Sequence, residues 1–322
     1  MTCSVRTLFL ALAVSFAFGS AAQNFPTRAV TLTVGFAPGG GTDTAARVVA
    51  KKLAENIGQS VVVENRAGAG GNIAAQHVAN APPDGYTIHL TSVGPMSVAP
   101  HLSKSLPYDP KRDIAPIAMG VMFPNVIVVH PDVPAKTLAE YVALARAQSG
   151  ALNYGSSGIG GIGHLAGELF KLASRTDIVH VPYKGGGPAM VDLLAGRIGM
   201  YLGVPSTVAP HVDAGRLRAL ATTGLQRAKI MPTVPTVAEQ GYPGFETTNW
   251  YAFVTSSKVP NEIIDYWNRE IVKVLNDPAT IAELAKHGLD PAPSTREELA
   301  RYIAKESDTW AKVVRDAKIT AE

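Results

Sequence analysis

From residue 29 onward the chain alternates two hydrophobic periods. AVTLTVGF (29–36) has the apolar, β-branched density of a strand. TDTAARVVAKKLAENIG (42–58) then sets Ala46, Val49, Leu53 and Ile57 along one helical face. VVVE predicts a second strand, NIAAQHVANA a second helix and YTIHLTS a third strand. The alternation resumes with VIVVH, the helical TLAEYVALARAQ, the strand end LNYGSS and the helical HLAGELFKLA. DIVHVPY, PAMVDLLAGRI, IGMYLGV and LRALATTG continue it. Strands alternating with helices of this length predict an α/β fold with mixed, mostly parallel sheets flanked by helices.

Two Pro-containing, less periodic segments interrupt the series, at 116–124 and 232–244. After the second come the strand NWYAFVTS and then only helices, the last opening at Ser294 with a capping box to Glu297. Its apolar face runs through Leu299, Ile303, Trp310 and Val314. One α/β unit therefore reads as inserted into another: residues 23–124 and 250–322 as lobe one, 125–249 as lobe two. The crossings fall near 115–126 and 240–250, and a double crossing predicts a hinge with a cleft between the lobes.

The first residues change the compartment. Arg6 precedes an apolar run from Leu8 to Phe18, too short to span a bilayer but long enough for a signal-peptide core. Ser20 and Ala22 suit the −3 and −1 positions of a signal peptidase, so residues 1–22 are expected to leave by cleavage after Ala22. Cys3, the only cysteine, leaves with them, so a disulfide or thiol chemistry is excluded from the mature chain. The formal charge of +3 is scattered, with no basic stripe to follow nucleic acid.

Glycine clusters follow predicted strands in both halves: PGGGTD (38–43), GSSGIGGIGH (155–164) and YKGGGPA (183–189). A helix start leaves backbone N–H groups free and carries about half a positive charge, and glycine lets an anion approach them. Facing turns of this kind would grip a carboxylate from two sides without an arginine. Gly158, Gly160 and Gly163 also match G-x-G-x-x-G, but a dinucleotide site needs an acid at the end of the next strand, which here ends at Tyr183 and Lys184. No G-x-S-x-G elbow surrounds Ser156 or Ser157, no turn ends in Gly-Lys-Ser/Thr, and no H-E-x-x-H is present. These absences argue against cofactor, metal and catalytic residues.

In order and spacing, PTRAVTLTVGFAPGGGTDTAAR, the VVVENRAGAGGNI run, PDGYT, NYGSSGIGGIGHLAGELF, HVPYKGGGPAMVDLLAGRI, PTVAEQG and WYAF resemble the Bug family, periplasmic solute receptors of tripartite tricarboxylate transporters. The resemblance covers essentially the whole mature chain. It implies a two-lobed Venus-flytrap (type II periplasmic-binding-protein) fold that captures a small carboxylate (a di- or tricarboxylate, an amino acid or an aromatic acid). It also implies a monomer that delivers its ligand to integral-membrane permease subunits. The alternatives are a sensor that presents its loaded form to a signalling protein, and an exported hydrolase using Ser156 or Ser157 with His164.

Several residues are expected at the ligand. Phe36, Ala37, Pro38, Gly39, Gly40 and Thr42 form the first clamp, by match to the family motif. Ser156, Ser157 and Gly158 form the second. Thr91 and Ser92 end the third strand, where cleft residues of open α/β sheets collect. Tyr183, Lys184, Gly185 and Val204 end strands of lobe two. His164 has two readings, ligand contact or a cap on its own turn. Asp43 would repel an anion and suits a structural place in the first helical turn. Glu64, with Arg66, is expected to fix loop geometry.

Overall fold

The computed structural model describes residues 25–103, 105–316 and 319–320. The expected signal segment lies outside the described residues. Two sheets organise the chain. The first joins β1 (Val30–Val34), β2 (Val61–Asn65), β3 (Thr87–Ser92), β4 (Ile114–Pro124), β10 (Thr248–Ser256) and β11 (Asp290–Pro291), in the order β11-β4-β10-β3-β1-β2. The second joins β5 (Val126–Val129), β6 (Asn153–Ser156), β7 (Val179–Pro182), β8 (Met200–Gly203) and β9 (Arg218–Thr222), in the order β7-β6-β8-β5-β9. The helices are α1 (Gly41–Ile57), α2 (Asn72–Ala79), α3 (Ala99–Leu102), α4 (Leu138–Ala147), α5 (Ile162–Ser174), α6 (Gly186–Leu194), α7 (Pro205–Asp213), α8 (Asn261–Leu275), α9 (Pro278–Lys286) and α10 (Arg296–Asp316).

Both sheets are mixed, so the expected mostly parallel character holds only where strands alternate with helices. β2-β1-β3 and β7-β6-β8 are parallel. β10 and β4 in the first sheet and β5 and β9 in the second run antiparallel to their neighbours. These are the strands next to the passages between sheets, at residues 124–126 and between β9 and β10. The Pro-containing segment 116–124 is strand, not loop. β11 covers only Val121 and Met122, and Ala292 and Ser294 then take the Gly120 carbonyl and the Met119 N–H, so Pro116 lies past the strand pairing on that edge, where proline is tolerated. α7 was also hidden by prolines: Pro205 opens it, where no N–H is needed, and Pro210 sits inside it.

Burial follows the periodicity. Ala46, Val49 and Leu53 of α1 pack with Leu32 and Val34 and with Ile264, Trp267 and Ile271 of α8 on one face of the first sheet. Leu299, Ile303, Trp310 and Val314 of α10 cover its other face, beside Trp250. Trp250 is core, with its indole N–H donated to Glu306 at 3.2 Å. Fully burying side chains of this size contributes about 1.5–3 kcal/mol each. The α10 cap is displaced by one residue from expectation. Thr295 Oγ1 accepts from the Glu298 N–H (3.2 Å), and Glu298 returns a bond to the Thr295 N–H (2.9 Å). Ser294 instead accepts the Met119 N–H at 3.0 Å and so ties the helix start to β4.

Candidate functional site

Between the sheets lies a narrow cavity lined by Phe36, Gly40, Gly41, Thr42, Ser92 and Val93 from the first and by Ser157, Gly161, Ile162, Gly163, Gly186, Tyr201, Leu202 and Val204 from the second. Asn125 and Asn249, by the passages between sheets, and Tyr251 of β10 complete the lining. The space open to water-sized groups is about 30 Å³. That suits about two waters, at 10–15 Å³ each, or one carboxylate.

Three helices begin at this cavity. In α1 the first helical bond runs from the Thr44 N–H to the Gly40 carbonyl (3.0 Å), so the N–H groups of Gly41, Thr42 and Asp43 precede the ladder. In α5 the Gly161 carbonyl receives His164 (3.0 Å) and Leu165 (3.1 Å), which leaves Ile162 and Gly163 ahead of it. α6 starts at Gly186 behind an N-cap glycine at φ 142°. Each start presents about half a positive charge. Among the described residues, no Lys, Arg, Asp or Glu side chain lines the cavity. The hydroxyls of Tyr201 and Tyr251 stay protonated because burial raises both phenols. The Trp250 N–H bonds Asn249 Oδ1 (2.9 Å), and Asn249 Nδ2 then donates to Asn125 Oδ1 (3.3 Å), which leaves the Asn125 amino group as the donor of this pair not used between them. The site is a ring of donors without a cation, suited to an anion of one to a few acceptor atoms.

Of the residues expected at the ligand, Phe36, Gly40, Thr42, Ser92, Ser157 and Val204 line the cavity. Ala37, Pro38, Gly39 and Gly185 lie instead on the seam where the two halves meet. The Ala37 N–H donates to the Lys184 carbonyl at 3.1 Å. A methyl on Gly185 would sit 2.9 Å from Ala37 N, and one on Gly187 would sit 2.8 Å from the Pro38 carbonyl oxygen. The Lys184 side chain is exposed, so this residue contributes its backbone to the seam rather than its charge to the cavity. Tyr183 turns away and donates its hydroxyl to Asp192 at 2.7 Å. Thr91 is buried between strands, outside the lining.

Ser156, Gly158 and His164 support the second turn from behind. Ser156 Oγ accepts the Gly158 N–H (3.1 Å) and meets His180 Nε2 at 2.7 Å. His164 Nδ1 accepts the Gly160 N–H at 3.1 Å, so His164 caps its turn and its proton sits on Nε2. The two imidazoles stack at 4.0 Å, tilted by 13°. The glycine spacing that resembles a nucleotide loop has local causes. Gly158 (φ 139°) meets Gly70 across the seam, Gly160 (φ 74°) faces Leu102, and Gly163 lies against the Leu202 carbonyl.

Asp43 orders the first turn. Its carboxylate accepts from the Gly39 N–H (3.1 Å), from Arg47 Nε (3.0 Å) and from Asn65 Nδ2 (3.0 Å), and Asn65 also holds the Phe36 carbonyl (2.9 Å). Burial acts to raise its pKa, but these hydrogen bonds outweigh it and hold the carboxyl below its ordinary range. Asp43→Ala strands three donors and is expected to cost about 2–4 kcal/mol. Urea midpoints measure this, and an unchanged midpoint would show that the turn is held by other contacts. Glu64 pairs with Arg66 at 2.8 Å, beside the loop that leads to Gly70.

The lining residues missed in the sequence are Asn125, Tyr201, Asn249 and Tyr251, with Val93, Gly161, Ile162, Gly163, Gly186 and Leu202. Asn125 and Asn249 stand at the two passages, so a polar residue at a predicted crossing was the available signal.

The model of the tripartite tricarboxylate transporter family receptor matches residues 45–319. Protein BugT of Bordetella pertussis is 37% identical over 314 residues, covering 97% of this chain and 96% of the relative. Among solved structures, Rpa4515 of R. palustris with adipate is 35% identical, with a TM-score of 0.89 over 92% of this chain and 99% of that one. MatC from Rhodopseudomonas palustris with bound malate is 30% identical, with a TM-score of 0.85 over 90% and 100%. With the family's motifs lying on the helix starts that enclose the cavity, the chain belongs to the tripartite tricarboxylate transporter receptor family.

Proposed function

We propose that this protein is a periplasmic receptor that captures a small carboxylate between its lobes and delivers it, as a monomer, to the integral-membrane subunits of a tripartite transporter. The observation that carries this reading is the convergence of three helix starts on a cavity that no charged side chain of the described residues lines. Relatives that hold adipate and malate support it. The carboxylate accepts from the N–H groups of α1 and α5, directly or through a water, and the tyrosine and asparagine donors of the lining take its remaining lone pairs.

The passages between sheets act as the hinge in this reading. Thr223, at the end of β9, links them: its Oγ1 accepts the Asn125 N–H (2.9 Å) and donates to the Thr247 carbonyl (2.9 Å). Its own N–H bonds the Asn125 carbonyl at 2.9 Å. Asn125 and Asn249 belong both to this lattice and to the cavity, so occupancy and hinge angle share residues.

A thermal-unfolding screen of mono- and dicarboxylic acids, amino acids and aromatic acids tests the reading. An acid that binds only the native state raises the midpoint with concentration, by about 2.7 kcal/mol of stability at 100 times its Kd. The same acid should lower the radius of gyration in small-angle scattering. No shift across the screen, or a shift reproduced by the neutral amides, contradicts it.

A further inference from the structure

Beside the cavity, behind a wall of backbone, lies a second and larger space of about 310 Å³. Its apolar sides are Ile73, Leu102, Leu106 and Ile159, and none of the described residues that line it is charged. The two spaces are neighbours along both chain segments that form them. Val93 and Gly161 line the cavity, while Gly94 and Gly160, one residue away, line the crevice. A methyl on Gly94 would lie 3.2 Å from both the Gly160 and the Gly70 carbonyl oxygens. At this contact the partition is glycine backbone meeting glycine backbone across the seam. Its lobe-one side is the start of a π-helical segment, Gly94–Val98. Such short irregular turns recur at functional sites.

We infer that the crevice is a second compartment of the ligand site and takes the uncharged, apolar tail of a carboxylate whose head lies at the helix starts. The inference rests on the carboxylate reading and narrows it. Room in the cavity is enough for a head group and little more. The crevice falls at the lower end of the size of small-molecule pockets, and apolar side chains dominate its walls. Parting the seam at Gly94 and Gly160 joins the two. Burying the tail against Ile73, Leu102, Leu106 and Ile159 removes apolar surface from water on both sides.

Titration calorimetry of the mature chain with butanoate, hexanoate, octanoate and octanedioate tests this. Affinity is expected to rise from butanoate to octanoate, approaching about four-fold per methylene. Gln76→Trp on the exposed rim and Ala99→Leu inside the crevice are expected to flatten that rise and leave butanoate unchanged. The wild-type series needs neither variant to fold. Affinity that is flat or falling with chain length overturns the inference, as does a rise that survives both substitutions. Octanedioate binding more tightly than octanoate overturns it too, because the far compartment would then favour charge. In each of these cases acids still bind and the receptor reading stands. If no acid of any length binds, that reading fails and the inference with it.

Discussion

Gly187→Ala is expected to weaken ligand capture about 10- to 100-fold while leaving the ligand-free protein as stable as before, or slightly more so. Gly187 lies in the first turn of α6 at an ordinary backbone angle, where alanine gains up to about 1 kcal/mol of helix propensity. Within its own lobe the substitution is therefore benign. Across the seam the added methyl would lie 2.8 Å from the Pro38 carbonyl oxygen. That oxygen is backbone in a turn tied by Asp43 and Asn65, so it cannot swing aside as a side-chain end would. Overpacking of this kind costs about 1–3 kcal/mol, charged only to the closed state. Gly70→Ala is a harsher twin, since its methyl would lie 2.3 Å from the Ile159 carbonyl oxygen. Its φ of 63° adds strain to the open state as well, so Gly187 is the cleaner probe. Calorimetry gives the affinity and denaturant unfolding gives the stability. Wild-type affinity in Gly187→Ala would show that the seam need not close to hold ligand.

Acidification is the second large effect. Burial pushes His89 and His164 down to about 4 and His180 to about 3, from an ordinary value of 6.5. Glu168 works against the shift at His164, and Lys171 works with it at both His164 and His180. As pH falls below 6.5 the unfolded chain takes up these protons first, so stability is complete above 6.5 and is lost as pH falls toward 4. His89, fully enclosed, and His164, buried but for its edge, each contribute on the order of 3 kcal/mol to that loss. Asp43, with its lowered pKa, adds a loss in the same direction below its ordinary value of 3.8. Geometry decides where the damage begins. A proton on His164 Nδ1 would face the Gly160 N–H it now accepts, and a charge there would stack on His180 at 4.0 Å. The second turn should therefore loosen before the lobes unfold. Guanidinium midpoints at pH 7.5, 6, 5 and 4 measure the loss. His164→Asn, whose side-chain oxygen can take the Gly160 N–H, should flatten the profile. A midpoint unchanged between pH 7.5 and 5 would contradict the assignment of neutral buried imidazoles.

Periodicity made the helices and most strands legible, because burial of one face is a local property of the residue order. Leu299, Ile303, Trp310 and Val314 were readable as a stripe for that reason. The cap of α10 was legible only to within one residue, since Ser294 and Thr295 each precede a glutamate by three. What chose Thr295 was the distant β4, which occupies Ser294 through the Met119 N–H. β4 itself was obscured by Pro116 and Pro124, whose tolerance depends on where the pairing along that edge ends. In the candidate site, the helix starts were legible as glycine turns. Their division into cavity and seam was not, because Gly40 faces the cavity while Gly185 faces Ala37 only once the halves are brought together. Asn125 and Asn249 meet across 124 residues of chain, and the hydroxyls of Tyr201 and Tyr251 point inward through strand pairing with distant partners. Such contacts belong to the folded topology and leave no local trace.

Amide chemical shifts measured during titration with a bound acid test the central claim most directly. If helix starts rather than side-chain cations hold the carboxylate, the ¹⁵N–¹H signals of Gly41, Thr42, Ile162, Gly163 and Gly186 should move furthest, toward the shifts of strongly hydrogen-bonded amides. Equal affinity at low and moderate salt should accompany them, since no surface cation is engaged. Perturbations centred on Lys184 or another exposed cation, with these five amides unmoved, would contradict the account.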